Sequence, residues 1–213
     1  MNSRPYRLGR RQVAADATRE RIVEAGLALI GTPGGEVRPF SMEGVAQEAG
    51  VARTTVYHQF GTKAALLEAI FDTIAVRGEI GPRIGAAFSH KEAREVLRAV
   101  IAAFAFFWET GRVVIRRIQG MSVLDPELEI GVHARDLRRR EVMRVVVARL
   151  RGEGVFGDAA RGDRDETVVD MLCAVTSFGT FYGLAGERSL VDVAGVVERM
   201  AWGVISANNP QNS

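Results

Sequence analysis

Residues 50–63 read Gly50-Val51-Ala52-Arg53-Thr54-Thr55-Val56-Tyr57-His58-Gln59-Phe60-Gly61-Thr62-Lys63. The segment just before them predicts a short helix capped by Ser41, because Val45, Ala46 and Ala49 share one apolar face. Gly50 ends that helix, since glycine adopts the left-handed conformation of a helix C-terminus without strain. A second short helix after this glycine turn completes a predicted helix-turn-helix.

The second short helix has a narrow apolar face and a broad polar one. Only Val56 and Phe60 suit burial, so the other side chains of this helix face outward. Hydrogen-bond donors and an aromatic ring on one helical surface are suited to contact the bases and phosphates of duplex DNA. This reading surface consists of Arg53, Thr54, Thr55, Tyr57, His58 and Gln59.

The segment from Ala49 to Leu67 resembles the signature of TetR-type transcriptional regulators. In that signature a glycine turn, a short recognition helix ending in Tyr-x-His/Tyr-Phe and a lysine that opens the next helix occur together. The resemblance covers about residues 17–75. Two positions depart from it: Ala52 stands where a capping serine is frequent, and Gln59 stands where histidine or tyrosine is usual.

The resemblance implies an all-α protein in which a DNA-binding domain precedes a ligand-binding and dimerisation domain. The helix at residues 63–77 is expected to link the two. The whole chain predicts about nine helices and no strand, with a break at Gly78, Gly81 and Pro82. The expected domains are a flexible basic arm at 1–16, the helix-turn-helix domain at 17–63, the ligand-binding and dimerisation domain at 64–207, and a polar tail at 208–213.

The resemblance also implies a mode of DNA binding. Each recognition helix would enter the major groove of a near-palindromic operator, with Arg53 and Thr54 or Thr55 on base edges. Lys63 would bind a phosphate together with the helix N-terminus that it opens, although such a lysine taken alone is more readily explained as a solvated surface residue. Thr18 would face a phosphate, or else either Asp16 or Thr18 simply caps the first helix. The predicted DNA-binding residues are Thr18, Ser41, Arg53, Thr54, Thr55, Tyr57, His58, Gln59 and Lys63.

Charge is unevenly distributed along the chain. The net charge is +2, but residues 1–63 carry +3 and residues 64–213 carry −1. Four arginines precede the first acidic residue, so the N-terminal arm either lies along a groove or phosphate row or is an ordinary solvated terminus. These four are Arg4, Arg7, Arg10 and Arg11.

Composition excludes several classes of function. The 213 residues are 47% hydrophobic, which is ordinary for a globular protein, and the single Cys173 excludes an intramolecular disulfide. His58, His90 and His133 are scattered, so we predict neither a metal site nor a cofactor. No catalytic motif occurs, and we expect no enzyme. Because no apolar run reaches ~20 residues and no secretory signal is visible, we expect a soluble, cytoplasmic protein.

The C-terminal domain is rich in bulky apolar side chains. Ordinary core packing explains any one of them, whereas the resemblance favours a pocket for a mostly hydrophobic small molecule. Arg138, Arg139 and Arg140 predict a solvated, salt-bridged helix face. The predicted ligand-binding residues are Phe104, Phe107, Trp108, Met121, Met143, Phe178 and Tyr182.

Two helices, at about residues 165–183 and 191–206, are expected to close the chain. Small residues four apart on the first and an apolar stripe on the second suggest that a second copy covers them, and the resemblance implies the same homodimer. The predicted interface residues are Thr176, Gly179, Thr180, Gly183, Val197, Met200, Ala201 and Val204.

These observations predict a dimeric, ligand-responsive DNA-binding regulator, most simply a repressor. Ligand binding would favour a spacing of the two recognition helices that no longer fits the operator. Two alternatives remain open. One is an architectural or scaffolding protein that uses the same DNA-binding head under the control of a protein partner. The other is a helical lipid carrier or enzyme.

Overall fold

The computed structural model describes residues 4–31, 40–156 and 163–208, except for the side chains of residues 4–11 and 163–164. These residues contain no strand, which confirms the all-α prediction. Residues 209–213 of the predicted tail at 208–213 and the side chains of Arg4, Arg7, Arg10 and Arg11 lie outside the described parts. The helices are α1 (Arg4–Gly31), α2 (Met42–Ala49), α3 (Arg53–Phe60), α4 (Lys63–Arg77), α5 (Ile80–Ala87), α6 (Ala93–Thr110), α7 (Arg112–Ser122), α8 (Pro126–Gly152), α9 (Asp163–Val175), α10 (Phe178–Ala185) and α11 (Ala194–Ala207).

The chain divides into two compact units, and the first comprises Met1–Ile74 and Val113–Val132. In it α1 packs against α2 and α3, and α2 packs against α3. The apolar faces that the sequence predicts are buried here because each helix presents one stripe of large side chains to its neighbours. Residues with no exposed surface in this core include Ile22, Val45, Val56, Leu66 and Ile70.

Two glycines allow close packing in the first unit. A Cβ added to Gly26 of α1 would lie 2.6 Å from Cδ1 of Ile70, and one added to Gly131 of α8 would lie 2.8 Å from Cε2 of Phe71. Both distances are shorter than a van der Waals contact, so any larger side chain forces a shift. In addition, Arg117 of α7 donates a hydrogen bond to the carbonyl oxygen of Ile30, 2.9 Å away.

The second unit comprises Ala75–Arg112 and His133–Ser213. Its central helix α6 packs against α5, α10 and α11, and α11 also packs against α9 and α10. The segment between α10 and α11 is fixed by Arg112, which donates to the carbonyl oxygens of Gly186 and Arg188 at 2.7 Å each. Fully buried side chains of this core include Val96, Leu97, Val100, Leu172, Phe181 and Val197.

The first helix begins earlier than the sequence predicts. Asp16 and Thr18 were expected to cap it, but α1 begins at Arg4, and both residues lie in its interior. The hydroxyl of Thr18 donates to the carbonyl oxygen of Ala14, 2.8 Å away, as a threonine inside a helix does. The cap prediction is therefore wrong, because the helix already runs through the residues before Asp16.

The predicted break after α4 is also wrong in part. Residues 80–87 form α5, which contains Gly81 and Pro82. Pro82 is tolerated because the amides of a first helical turn have no intrahelical partner, so a residue without an N–H loses no bond there. The chain turns at Glu79 instead, which has a positive φ of 49°.

The predicted helix at residues 165–183 is two helices. α9 ends at Val175 and α10 begins at Phe178, with Ser177 as its N-cap accepting a hydrogen bond from the amide of Thr180. The two are bent by 42°. This break and the additional α5 turn the nine predicted helices into the eleven of the described residues.

Among the described residues, no single helix is long and apolar enough to cross a bilayer. Only α9 and α10, taken together as a bent pair, have the required length and composition.

Candidate nucleic-acid interface

The first helix of the helix-turn-helix has the two ends that the sequence predicts. The Ser41 hydroxyl oxygen accepts a hydrogen bond from the amide of Gly44, 3.1 Å away, which satisfies one free amide of the first turn of α2. At the other end Gly50 has φ 62° and ψ 37°, and its N–H donates to the carbonyl oxygens of Ala46 and Gln47. A non-glycine residue would be strained in this left-handed conformation.

The recognition helix α3 buries the two residues expected of it. Val56 is fully buried and Phe60 is 8% exposed, which confirms the predicted inner face. Its N-cap residue, Ala52, makes no side-chain hydrogen bond, so α3 lacks the capping contact that α2 has. Gly61, with φ 71°, ends the helix and turns the chain into α4.

The reading surface is therefore presented on the outside of the first unit. Thr55 and Gln59 are half-buried, and the other four members are exposed. The guanidinium of Arg53 lies 3.7 Å from the carboxylate of Glu43 on α2 and 3.3 Å from the Tyr57 hydroxyl. Glu43 was not among the predicted site residues, and no sequence spacing relates it to Arg53 because the two lie on different helices.

Arg19 is a second residue that the sequence reasoning missed. Its guanidinium lies 4.2 Å from the centre of the Phe60 ring and donates to the carbonyl oxygen of Gln59, 3.0 Å away. A cation at this place satisfies a carbonyl in the last turn of α3 and complements the negative end of the helix dipole. Arg19 therefore fixes α1 to the C-terminal end of the recognition helix.

Lys63 begins α4, as predicted, but its ammonium group is engaged within the protein. Nζ of Lys63 forms a short hydrogen bond and ion pair with Oδ2 of Asp125. The hydroxyl of Thr62 caps α4 by accepting from the amide of Ala65, 3.1 Å away. Asp125 lies 62 residues further along the chain, and a separation of that length leaves no local signal in the sequence.

Most of the predicted ligand-binding residues form one aromatic cluster in the second unit. Trp108 has ring-centre distances of 4.8 Å to Phe107, 6.2 Å to Phe104 and 5.8 Å to Phe178. Phe178 in turn lies 5.5 Å from Tyr182. Met143 is fully buried in the same unit, whereas Met121 belongs to the first unit.

The predicted dimer-interface residues fall into buried, half-buried and solvent-exposed groups. Thr176, Val197 and Ala201 have no exposed surface, so their side chains belong to the core of their own unit, and the Thr176 hydroxyl donates to the carbonyl oxygen of Leu172. Thr180 and Val204 are half-buried, and the exposed members are Gly179, Gly183 and Met200. Met171 of α9, which was not predicted, is 43% exposed.

The arginine triplet of α8 forms salt bridges, as predicted, but it is not solvated throughout, because the Arg139 side chain is only 10% exposed and pairs with Asp136. Arg140 donates to the carboxylates of Glu166 and Asp170 on α9, while Arg138 is exposed. Arg144 contacts the same Glu166 carboxylate at 2.9 Å. Together these arginines lower the pKa of Glu166 to about 2. No set of three histidine, cysteine or acidic residues among those described could hold a metal ion.

The comparisons with known proteins agree with this architecture. Residues 22–70 match the family model described as bacterial regulatory proteins, tetR family. A search of curated proteins finds no match. The similarity to solved structures, each under 25% identical, extends the shared fold well beyond the matched residues.

Three of these structures are transcriptional regulators. A TetR transcription regulator from Haloarcula marismortui is 16% identical with a TM-score of 0.65, covering 90% of this chain and 98% of its own. A TetR-like regulator from Rhodococcus is 17% identical with a TM-score of 0.61, covering 87% and 93%. The TetR regulator PfmR from Thermus thermophilus is 22% identical with a TM-score of 0.61, covering 85% and 96%. Residues 22–70, which include the helix-turn-helix, therefore match the tetR family of bacterial regulatory proteins, and the chain as a whole shares the fold of these solved regulators.

Proposed function

We propose that the chain is a homodimeric repressor that binds a near-palindromic operator and is released by a mostly hydrophobic small molecule. The observation that carries the DNA-binding part is the reading surface of α3, which is outward-facing while Val56 and Phe60 anchor the helix in the core. Arg53 and Thr54 or Thr55 contact base edges, and Tyr57, His58 and Gln59 contact phosphates. Ser41, the N-cap of α2, and Thr18, in the interior of α1, are further proposed contacts with the DNA backbone.

The two-fold symmetry of the proposed homodimer determines how the half-sites of the operator are arranged. Two recognition helices related by a two-fold axis meet half-sites about 34–36 Å apart, or a multiple of that distance. The exposed apolar residues Met171 and Met200, on helices that both belong to the C-terminal part of the second unit, support the expectation that a second copy covers this region. The exposed glycines at 179 and 183 would allow that copy to approach closely.

The ligand part of the proposal is supported by the aromatic cluster around Trp108. Aromatic rings supply contact area for an apolar molecule, and the hydroxyl of Tyr182 supplies one polar contact. The predicted linking helix, α4, spans residues 63–77 and would carry the response from the second unit to the DNA-binding head. A ligand that binds the released shape about 100-fold more tightly supplies about 2.7 kcal/mol for that response.

The test begins with selection of bound sequences from a pool of random duplexes. We expect the enriched sequences to contain two inverted half-sites with the spacing given above. Arg53→Ala should then lose about 1–3 kcal/mol on the selected operator and less on random duplex DNA. Arg138→Ala, which removes the same charge from an exposed position on α8, is the matched control and should leave both affinities unchanged.

The same selection separates the alternatives. Enrichment of no sequence over random DNA contradicts an operator-binding repressor and favours an architectural protein. Equal loss of affinity in Arg53→Ala on both kinds of DNA would assign Arg53 to a phosphate. Hydrophobic compounds are then screened for release of the operator, and the quenching of Trp108 fluorescence, with Trp202 replaced by phenylalanine, reports whether a releasing compound binds near the aromatic cluster.

A further inference from the structure

The Lys63–Asp125 ion pair lies within the first unit and links the beginnings of α4 and α8. Lys63 is the first residue of α4, and Asp125 immediately precedes Pro126, the first residue of α8. The two side chains are 22% and 24% exposed, so water solvates the pair only in part. An ion pair with this little solvent contact is screened less than one at the open surface.

Asp125 is held in place independently of Lys63. Its other carboxylate oxygen, Oδ1, accepts from the amide of Glu127 at 3.1 Å and from that of Leu128 at 3.5 Å. Asp125 is thus the N-cap of α8, where the positive end of the helix dipole also favours an anion. The carboxylate therefore stays with α8 while it neutralises Lys63.

Protonation of the carboxylate does not weaken this arrangement near neutral pH. Partial burial by itself raises the pKa of Asp125. The opposing effect is larger: the pKa is lowered by the hydrogen bond and charge of Lys63 and by the amides of Leu128 and Glu127. The pKa of Asp125 consequently lies below its ordinary value. Asp125 is ionised, and Lys63 faces a full negative charge, at any pH at which DNA binding is measured.

A lysine at a helix N-terminus is a site for an anionic oxygen, and in this structure a carboxylate oxygen takes that place. We propose that Asp125 competes with a DNA phosphate for Lys63, and so lowers the affinity of the DNA-binding head for duplex DNA of any sequence. This inference rests on the proposed DNA-binding function and adds the residue that sets how much Lys63 contributes to it. Because Lys63 must break its ion pair with Asp125 before it binds a phosphate, the net gain in DNA-binding free energy is smaller.

The test is Asp125→Asn in the full chain. Asparagine is as good an N-cap as aspartate, so α8 keeps its cap while the negative charge is removed. We expect binding to a random-sequence duplex at low salt to tighten about 2- to 5-fold, the range in which one partly solvated ion pair contributes. The plot of log K against log salt concentration should become steeper by about 0.9, the slope of one additional phosphate contact.

Two controls separate competition from a general change of charge. Glu127→Gln removes one negative charge from an exposed position in the same turn of α8, and it should change the affinity and the slope much less. Lys63→Ala should weaken binding and flatten the slope, and Lys63→Ala combined with Asp125→Asn should bind like Lys63→Ala alone. If Asp125→Asn tightens binding equally with and without Lys63, the competition is overturned.

A measurement without DNA checks the pair itself. In an NMR titration of the Asp125 carboxyl group, Lys63→Ala should raise its pKa, because the favourable charge is removed. If Asp125→Asn proves unstable, Asp125→Ser supplies another neutral cap for the same comparison. If no variant binds duplex DNA, the proposed function fails and this inference fails with it. If the wild-type chain binds but Asp125→Asn behaves like Glu127→Gln, only this inference fails.

Discussion

The guanidinium of Arg53 donates a hydrogen bond to the hydroxyl of Tyr57, 3.3 Å away, and lies 5.3 Å from the centre of its ring. The two residues are four apart on α3, so they are neighbours on one face of the helix. With Glu43 on the other side at 3.7 Å, Arg53 is oriented before any DNA is present. A side chain whose rotamer is already fixed loses less entropy when it forms a geometrically demanding contact with a base.

Tyr57→Phe tests this orientation, because it removes the hydroxyl and keeps the ring. If Tyr57 positions Arg53, the affinity for the selected operator should fall about 2- to 5-fold, the value of one modest hydrogen bond, while random-duplex binding changes less. Fluorescence anisotropy with both duplexes measures the difference. Glu43→Gln, which removes the other partner of Arg53, should reduce the same preference. An equal loss on both duplexes would mean that the hydroxyl acts only through its proposed phosphate contact and does not position Arg53.

The missing cap of α3 predicts a stabilising substitution. Ala52 has the extended backbone of an N-cap, φ −67° and ψ 145°, but no side-chain oxygen. Ala52→Ser should therefore raise the free energy of unfolding by about 0.5–2 kcal/mol, as a capping hydroxyl does elsewhere. Ser41→Ala, which removes the cap of α2, should lower it by a similar amount. Urea unfolding followed by circular dichroism measures both, and an unchanged midpoint in Ala52→Ser contradicts the prediction.

The Glu166 carboxylate predicts a pH dependence of stability. Its pKa of about 2, against an ordinary 4.5, is caused by hydrogen bonds from Arg144 and Arg140. Since the folded-state pKa is the lower one, this contribution is complete above pH 4.5 and is lost as the pH falls toward about 2. Urea midpoints between pH 5 and pH 2 should fall less steeply in Glu166→Gln than in the wild-type chain. Glu187→Gln, a change at an exposed position in the same unit, should keep the wild-type slope.

The helix-turn-helix could be predicted from the sequence because its determinants are local. Ser41 and Gly50 mark the two ends of α2 through their own backbone and side-chain chemistry, and Val56 and Phe60 give the inner face of α3 by their spacing alone. The same local signals predicted the bounds of α4, which spans residues 63–77 as expected.

The features that were not predicted depend on context. Pro82 indicates a break in general, but it is compatible with a helix when it stands in the first turn, and the sequence does not say which turn it occupies. The break at Ser177 arises because a serine can cap a new helix as readily as it can lie within an old one. The contacts of Arg53 with Glu43 and of Lys63 with Asp125 join different helices, so no periodicity along one helix could have found them.

Glycine at position 131 has a consequence for the charged pair at the beginnings of α4 and α8. Because residue 131 has no side chain, the Phe71 ring lies against the backbone of α8, and a Cβ at this position would come within 2.8 Å of it. Lys63 and Asp125 lie only about two helical turns away. We therefore expect a larger residue at position 131 to push the beginnings of α4 and α8 apart and to lengthen the contact between ammonium and carboxylate.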